Sequence, residues 1–160
     1  MVDKHVYQRL AFIKYLYKTA VENSRKQHPA CSMSLLTLHD AMESFLKLAS
    51  EHLDVGRSSM KFMEYWDVLS GGLPNGTTLS QKESSRRLNK ARVNLKHHGN
   101  MPSKTDIESY RATATNFFED NSEKIFDVDF SEISLVMLIN DETIKKHLEK
   151  AENCLGEEKF

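Results

Sequence analysis

Hydrophobic residues recur every three or four positions along most of this chain, the spacing that places them on one face of an α-helix. The first such segment covers 4–27 and ends before Pro29, because the residue that precedes a proline disfavours helix. The second segment, 33–54, has the most regular apolar face, and Ser32 or Ser34 is available to cap it. Its apolar positions are Leu35, Leu38, Met42, Phe45, Leu46, Ala49 and Leu53.

The rest of the chain repeats this pattern after one turn-rich interruption. Residues 59–69 predict a shorter helix with many large side chains, and 70–78 (SGGLPNGTT) form a loop. Three further helices are predicted, over about 79–98, 104–124 and 142–155. Between the last two, IFDVDF (125–130) has a partly β-like composition, and a brief apolar turn runs on to Ile139.

Three helix ends carry recognisable capping residues. Gly99 suits the left-handed position just past a helix. Ser103 followed by Asp106 resembles a capping box, with Asp in place of the usual Glu or Gln. Asn140 or Asp141 is placed to cap the last helix.

The composition agrees with a helical protein. The chain has 160 residues with only six glycines and three prolines, a length typical of one domain with a proper core. We therefore predict a single all-α domain over 1–160, an up-and-down bundle of four to five main helices with short extra helices.

The net charge of −1 conceals an uneven distribution. Residues 1–116 hold 17 Lys and Arg against 11 Asp and Glu, whereas 117–160 hold 5 against 12. We read 126–160 as an acidic C-terminal helical segment. This asymmetry is compatible with three explanations. The acidic segment covers the basic part of the same chain, the charged segment contacts a partner, or the charges are distributed by chance over solvated faces.

Several classes of function are disfavoured. Cys31 and Cys154 form no CxxC pattern, which gives no zinc signature and no disulfide framework, and neither has a convincing activating neighbour. The charged N-terminus predicts no secretory signal. The longest apolar run, 133–139, is too short to span a bilayer. No phosphate-binding glycine loop is present. We expect a soluble cytoplasmic protein without a metal site or cofactor.

The densest chemistry lies at the end of the fourth long helix. Residues 82–98 contain six Lys and Arg against one acidic residue, the charge pattern of a nucleic-acid contact or of a solvated helix face. Arg92 and His97 stand in an R-x4-H spacing. RNA cleavage by its own 2′-hydroxyl needs a proton carrier, which histidine supplies, and a phosphate clamp, which arginine supplies. Asn94 is placed to position the phosphate or the ribose.

A regular helix separates Arg92 and His97 by about 140° beyond one full turn. Either the helix frays or tightens near Gly99, or the site is assembled from two chains.

Two segments together resemble the HEPN superfamily of all-α ribonucleases and nucleotide-binding domains. They are RLNKARVNLKHHGNMPS on the late helix and LLTLHDAMESFLKLASEHL on the early one, and the resemblance covers about 33–125. The family motif is an arginine, four to six residues and a histidine. Val93 stands where a polar residue usually follows the arginine. His98 also fits the motif, as R-x5-H.

The resemblance implies a homodimer in which both motifs face one cleft and cleave RNA without a metal, often in toxin–antitoxin or antiphage systems. It also implies a supporting acidic residue on an earlier helix, for which Glu43 is the candidate, with Asp40 behind it. The implied catalytic residues are Arg92, His97, Asn94 and Glu43. The implied substrate-binding residues are Lys96, His98, Lys90 and Arg87.

Three functions remain open at this stage. The first is a HEPN-like endoribonuclease whose partners are RNA and a cognate antitoxin or defence protein. The second is a non-catalytic module that binds RNA, a nucleotide or a protein. The third is a helical scaffold whose basic helix meets an acidic surface. We assign His39 to surface or core packing rather than to a relay with Asp40, because adjacent residues of a helix point about 100° apart.

Overall fold

Helices form all of the regular structure in residues 2–157, the part of the chain that the computed structural model describes. The α-helices are α1 (Lys4–Ser24), α2 (Ala30–His52), α3 (Tyr65–Gly72), α4 (Lys82–His98), α5 (Lys104–Phe126) and α6 (Glu142–Glu157). Short 3-10 helices lie at Phe62–Glu64, Pro74–Gly76, Phe130–Glu132 and Leu135–Leu138. Residues 2–157 contain no strand, which confirms the predicted all-α bundle.

Helix α2 is the centre of the bundle and packs against α1, α4 and α5. Its apolar face, which includes Leu35, Leu38, Met42 and Phe45, is fully buried. The short connections before α2 and before α5 make each consecutive pair antiparallel neighbours. This arrangement places α4 along one side of the most buried helix.

Aromatic rings fill the space between α2 and α5. Phe45 meets Phe117, Phe118 and Phe126 edge to face, with centroids 5.3 to 5.6 Å apart, a favourable ring geometry. Trp66 of α3 is buried and donates its indole N–H to the carbonyl of Ser80 at 2.8 Å. Trp66 is therefore a core residue.

The predicted caps are mostly confirmed. The side chains of Ser103 and Asp106 accept each other's backbone N–H groups, Gly99 is left-handed, and Asp141 accepts two N–H groups at the start of α6. The predicted serine caps of α2 are wrong, because this helix begins at Ala30 after Pro29, with no side-chain cap. The fixed φ of proline suits a helix start.

Several predicted boundaries need correction. Helix α1 ends at Ser24 instead of 27. IFDVDF is not β-like, because α5 continues through Phe126 and thereby buries Ile125 and Phe126 in the core. The short helix predicted over 59–69 is a 3-10 turn followed by α3, which extends to Gly72. Within the described residues, no helix is long and apolar enough to cross a membrane.

A buried lysine joins the N-terminal helix to the segment after α5. Lys14 of α1 donates from Nζ to the carbonyl of Ser131 at 2.7 Å and to that of Ile133 at 2.6 Å. Helix α1 also packs against Leu135–Leu138, and α6 packs against the same turn. The N-terminal and C-terminal parts of the chain thus form one continuous layer.

Candidate functional site

The outer face of α4 carries a line of exposed residues. Arg86, Lys90, Val93 and His97 follow one another at spacings of four, three and four residues, so they lie on one side of the helix. All four are exposed, including the apolar Val93 at 37%. The opposite side, with Ser85 and Leu88 buried, packs on the bundle.

Most cations of this helix have no acidic partner. Arg86 pairs with Glu83 at 3.3 Å, and Lys82 pairs with Asp67. The other cations of α4 form no ion pair with any residue in the described part of the chain. They are Arg87, Lys90, Arg92 and Lys96. The positive charge of α4 is therefore available to an anion.

Arg92 lies on the flank of α4 that faces α2. It is half-buried, and its Nε is buried without a hydrogen-bond partner among the described residues. After burial, which is the largest cause, the positive charge of Arg92 lowers the pKa of His39 on α2. An unpaired buried N–H costs free energy, so Arg92 holds a donor ready for an acceptor that enters this seam.

The end of α4 is regular, so it does not bring His97 to Arg92. The helix continues through His98, where the Gly99 N–H bonds to the Leu95 carbonyl at 3.1 Å. The fraying that would reunite the two side chains within one chain is absent from the structure. They point about 140° apart around α4, which leaves assembly from two chains as the arrangement compatible with a joint site.

His39 is the buried polar centre of the α2–α4 contact. The residue is only 3% exposed. Its ring stacks on the ring of Phe62, and the two ring centroids are 4.3 Å apart. Nε2 lies 2.9 Å from Oδ1 of Asn89 on α4. An amide oxygen only accepts, so Nε2 carries the proton and the neutral ring has its lone pair on Nδ1. Nδ1 has no hydrogen-bond partner in the described chain.

The environment of His39 favours this neutral form. Burial is the largest cause that lowers the pKa of the imidazole below its usual 6.5, and the Arg92 charge lowers it further. The pKa is raised in turn by the hydrogen bond to Asn89 and by the carboxylates of Glu43 and Asp40, but these effects are smaller and the pKa stays below its usual value. His39 is therefore an uncharged imidazole at neutral pH.

Two carboxylates border the free nitrogen of His39. Oδ1 of the exposed Asp40 lies 3.9 Å from Nδ1, beyond hydrogen-bond distance. Glu43 is half-buried, one turn along α2, and pairs with Lys47 at 3.6 Å. One ligand atom from each of His39, Asp40 and Glu43 lies within 4.8 Å of the other two.

The sequence-predicted residues thus fall into two groups. Glu43 and Arg92 lie at the α2–α4 seam, both close enough to shift the pKa of His39. The exposed group consists of Arg87, Lys90, Lys96, His97 and His98. Asn94 is half-buried, and its carbonyl accepts the Asn100 N–H at 3.4 Å.

Sequence reasoning missed the pairing of His39 with Asn89. The burial of His39 agrees with its assignment to packing, and its place on the apolar face, four residues after Leu35 and three before Met42, is the signal for that burial. Its partner on α4 lies fifty positions away, and no local pattern identifies it.

A second histidine contact lies at the start of α2, where a neighbour for Cys31 was not expected. His28 Nδ1 lies 3.2 Å from Cys31 Sγ and 2.8 Å from Ser32 Oγ. The thiol belongs to a fully buried residue. It is therefore closed to a substrate, and this pair is a packing contact.

Compared with protein-family models, curated proteins and solved structures, the chain gives no match.

Proposed function

We propose that the protein is a metal-independent endoribonuclease of HEPN type, active in the cytoplasm as a homodimer. Arg92 clamps the scissile phosphate, and His97 moves the proton. Asn94 and Glu43 support the site, and the unpaired cations of α4 bind the RNA backbone. The single observation that carries this proposal is the set of α4 cations without acidic partners, beside a half-buried Arg92 that offers an unpaired N–H.

The proton carrier and the phosphate clamp both lie on α4. His97 accepts the proton of the ribose 2′-hydroxyl as its oxygen attacks the adjacent phosphorus. The P–O5′ bond then breaks, and an imidazolium returns a proton to the leaving 5′-oxygen. The guanidinium of Arg92 stabilises the charge on the crowded phosphorus. The products are a 2′,3′-cyclic phosphate and a 5′-hydroxyl.

The exposed line on α4 suggests how two copies meet. If the outer faces of two α4 helices pack about a twofold axis, each Val93 contacts its counterpart and each His97 approaches the partner helix. Val93 then loses its exposed apolar surface. The facing cations repel one another until a phosphate backbone lies between them, so RNA stabilises the arrangement.

The test is cleavage of a labelled RNA in EDTA by the full chain and by Arg92→Gln and His97→Ala. Removing either a transition-state cation or a general base is expected to lower the rate by at least about 100-fold. His98→Ala decides which of the two adjacent histidines acts. Arg57→Gln and His147→Ala are matched controls, because each removes an exposed side chain of the same type away from α4.

Cleavage that leaves 2′,3′-cyclic ends and is lost in Arg92→Gln and His97→Ala supports the proposal. Cleavage that survives both changes, or that stops in the controls, contradicts it. A strict monomer by sedimentation at tens of micromolar contradicts the shared site.

The second candidate function is a non-catalytic HEPN-like module that binds RNA, a nucleotide or a protein partner through the same α4 face. The observation that favours it is Val93, an exposed apolar residue directly after Arg92. This function predicts salt-sensitive RNA binding without cleavage, with the salt slope reduced by about one on loss of Lys90 or Arg87. A role in toxin–antitoxin or antiphage systems, with an antitoxin or defence protein as partner, belongs to both proposals.

A further inference from the structure

The α2–α4 seam contains a buried histidine that the proposed cleavage chemistry does not use. His39 is buried, one of its ring nitrogens is fixed by Asn89, and the other has no partner among the described residues. A buried nitrogen with a free lone pair is uncommon, because it has lost water without gaining a hydrogen bond. This nitrogen lies 3.9 Å from a carboxylate oxygen of Asp40.

We propose that His39, Asp40 and Glu43 bind a divalent transition-metal ion of the Zn²⁺ type. Nδ1 of His39 and one carboxylate oxygen from each acid are the ligands. This inference shares Glu43 with the proposed ribonuclease site but does not rest on that activity, whose chemistry requires no metal. It also goes beyond the sequence, which predicts no metal site.

The spacing of the three residues suits a small cation. His39 and Glu43 are four residues apart and therefore lie on one face of α2, one turn from each other. Zn²⁺ binds nitrogen and oxygen at about 2.0–2.2 Å, so its ligand atoms lie about 3.4 Å apart in a tetrahedron. The three ligand atoms already lie within 4.8 Å of one another. Rotation of the partly exposed acid side chains closes the remaining gap.

Asn89 plays the part that a supporting residue has in metal sites. A histidine that binds a metal commonly donates its other ring N–H to an oxygen, which fixes the tautomer and the ring orientation. Asn89 Oδ1 accepts from Nε2 at 2.9 Å, and Phe62 stacks on the ring. The lone pair of Nδ1 is thereby kept free.

The charges around the site permit a cation. Neither Asp40 nor Glu43 forms an ion pair with Arg92 within the described chain. Lys47 contacts Glu43 at 3.6 Å, but its side chain is about half exposed, and such surface pairs contribute little. A metal ion can therefore replace Lys47 as the positive partner of Glu43 at little cost in free energy. Arg92 remains as a nearby positive charge and limits the affinity.

The probe is Zn²⁺ added to the full chain in a Cys154→Ser background, which removes the exposed thiol as a competing ligand. Calorimetry is expected to show one equivalent bound. Asp40→Asn and Glu43→Gln keep the side-chain size and should each raise the Kd about tenfold or more, because each removes a ligand. Asn89→Ala leaves all three ligands in place and should also raise the Kd about tenfold.

The controls separate this site from adventitious binding. The double variant His97→Ala/His98→Ala removes the exposed adjacent imidazoles, and Asp120→Asn removes an exposed carboxylate on α5. Neither change should alter the Kd. A His39 ring signal that shifts on addition of Zn²⁺ in NMR spectra supports the assignment.

Failure to bind Zn²⁺, or binding that is unchanged in Asp40→Asn and Glu43→Gln but lost in His97→Ala/His98→Ala, overturns the inference. RNA cleavage in EDTA is measured separately, so failure of one proposal is distinguishable from failure of the other.

Discussion

At the scale of single residues, His39 shows how one buried polar group organises the contact of two helices. Its ring is held by the Asn89 amide oxygen on one edge and by Phe62 on one face. The sequence leaves the location of His39 open between surface and core, and the structure places it in the core, on the same face of α2 as Leu35 and Met42. The partner is set by the tertiary packing of α4 on α2, which lies outside any local pattern.

Replacement of Asn89 by alanine is expected to lower the free energy of unfolding by about 1–3 kcal/mol, because the buried Nε2–H of His39 loses its acceptor. Urea denaturation measures this change. Lys90→Ala, at the next and exposed position of the same helix, should remain within about 0.5 kcal/mol of the wild type. Equal effects of the two substitutions are incompatible with the hydrogen bond that the structure shows.

For Arg92 as well, the spacing in the sequence identifies the residue, whereas helix packing determines its surroundings. The R-x4-H spacing singles out Arg92 and His97 as a pair, yet helix geometry alone separates them. The sequence does not indicate that Arg92 lies on the side of α4 towards His39 and that His97 lies on the exposed side. This arrangement depends on which side of α4 packs on the bundle.

At the scale of elements, helix existence follows from hydrophobic spacing, and helix ends depend on distant contacts. Helix α5 begins at the predicted Lys104 because its cap, Ser103 with Asp106, is local in sequence. Helix α4 starts at Lys82 instead of 79. The reason lies in tertiary hydrogen bonds, since the Ser80 carbonyl accepts from Trp66 and the Ser80 N–H donates to Asn121 Oδ1 at 3.0 Å.

Lys14, which joins α1 to the segment after α5, gives an element-scale prediction about pH. Burial is the main cause that lowers its pKa below 10.5, and Lys18 lowers it further, against smaller opposing effects of Asp129 and Glu152. The unfolded chain therefore binds a proton more readily than the folded one between the folded pKa and 10.5. Stability contributed by Lys14 rises with pH through that window and falls as pH drops.

The measurement compares the unfolding free energy of the wild type with that of Lys14→Met at about pH 8 and about pH 10.5. The free energy of unfolding of the wild type should exceed that of the variant by more at the higher pH, because the contribution of Lys14 rises with pH. Other groups titrate equally in both proteins and cancel in the difference. The variant should also lose about 1–3 kcal/mol at pH 8 through two lost hydrogen bonds. Lys4→Met, an exposed change on α1, serves as control. An advantage that shrinks with rising pH contradicts the burial of Lys14.

At the scale of the whole molecule, the all-α bundle is the feature that sequence predicts best, because several independent apolar faces require one shared core. The prediction of how copies associate rests on the family resemblance and on helix geometry. The structure adds the exposed line from Arg86 to His97 with Val93 within it. That line is the surface on which the dimer proposal depends.

Mixing two inactive variants tests the shared site directly. If a site takes Arg92 from one chain and His97 from the other, Arg92→Gln and His97→Ala each abolish cleavage alone. A refolded equimolar mixture forms heterodimers with one intact site, so about one quarter of wild-type activity returns if association is random. Two copies of the same variant mixed together provide the baseline. No recovery, with heterodimers shown to form, rules out a site divided between chains.

The two hydrogen bonds from Lys14 to the carbonyls of Ser131 and Ile133 have a consequence for biosynthesis. Those carbonyls leave the ribosome more than a hundred residues after Lys14. Until then, the face of α1 that receives them stays uncovered on the nascent chain. These two hydrogen bonds therefore form only after Ser131 and Ile133 have been synthesised, and a ribosome stalled before residue 131 holds a chain in which Lys14 has neither acceptor.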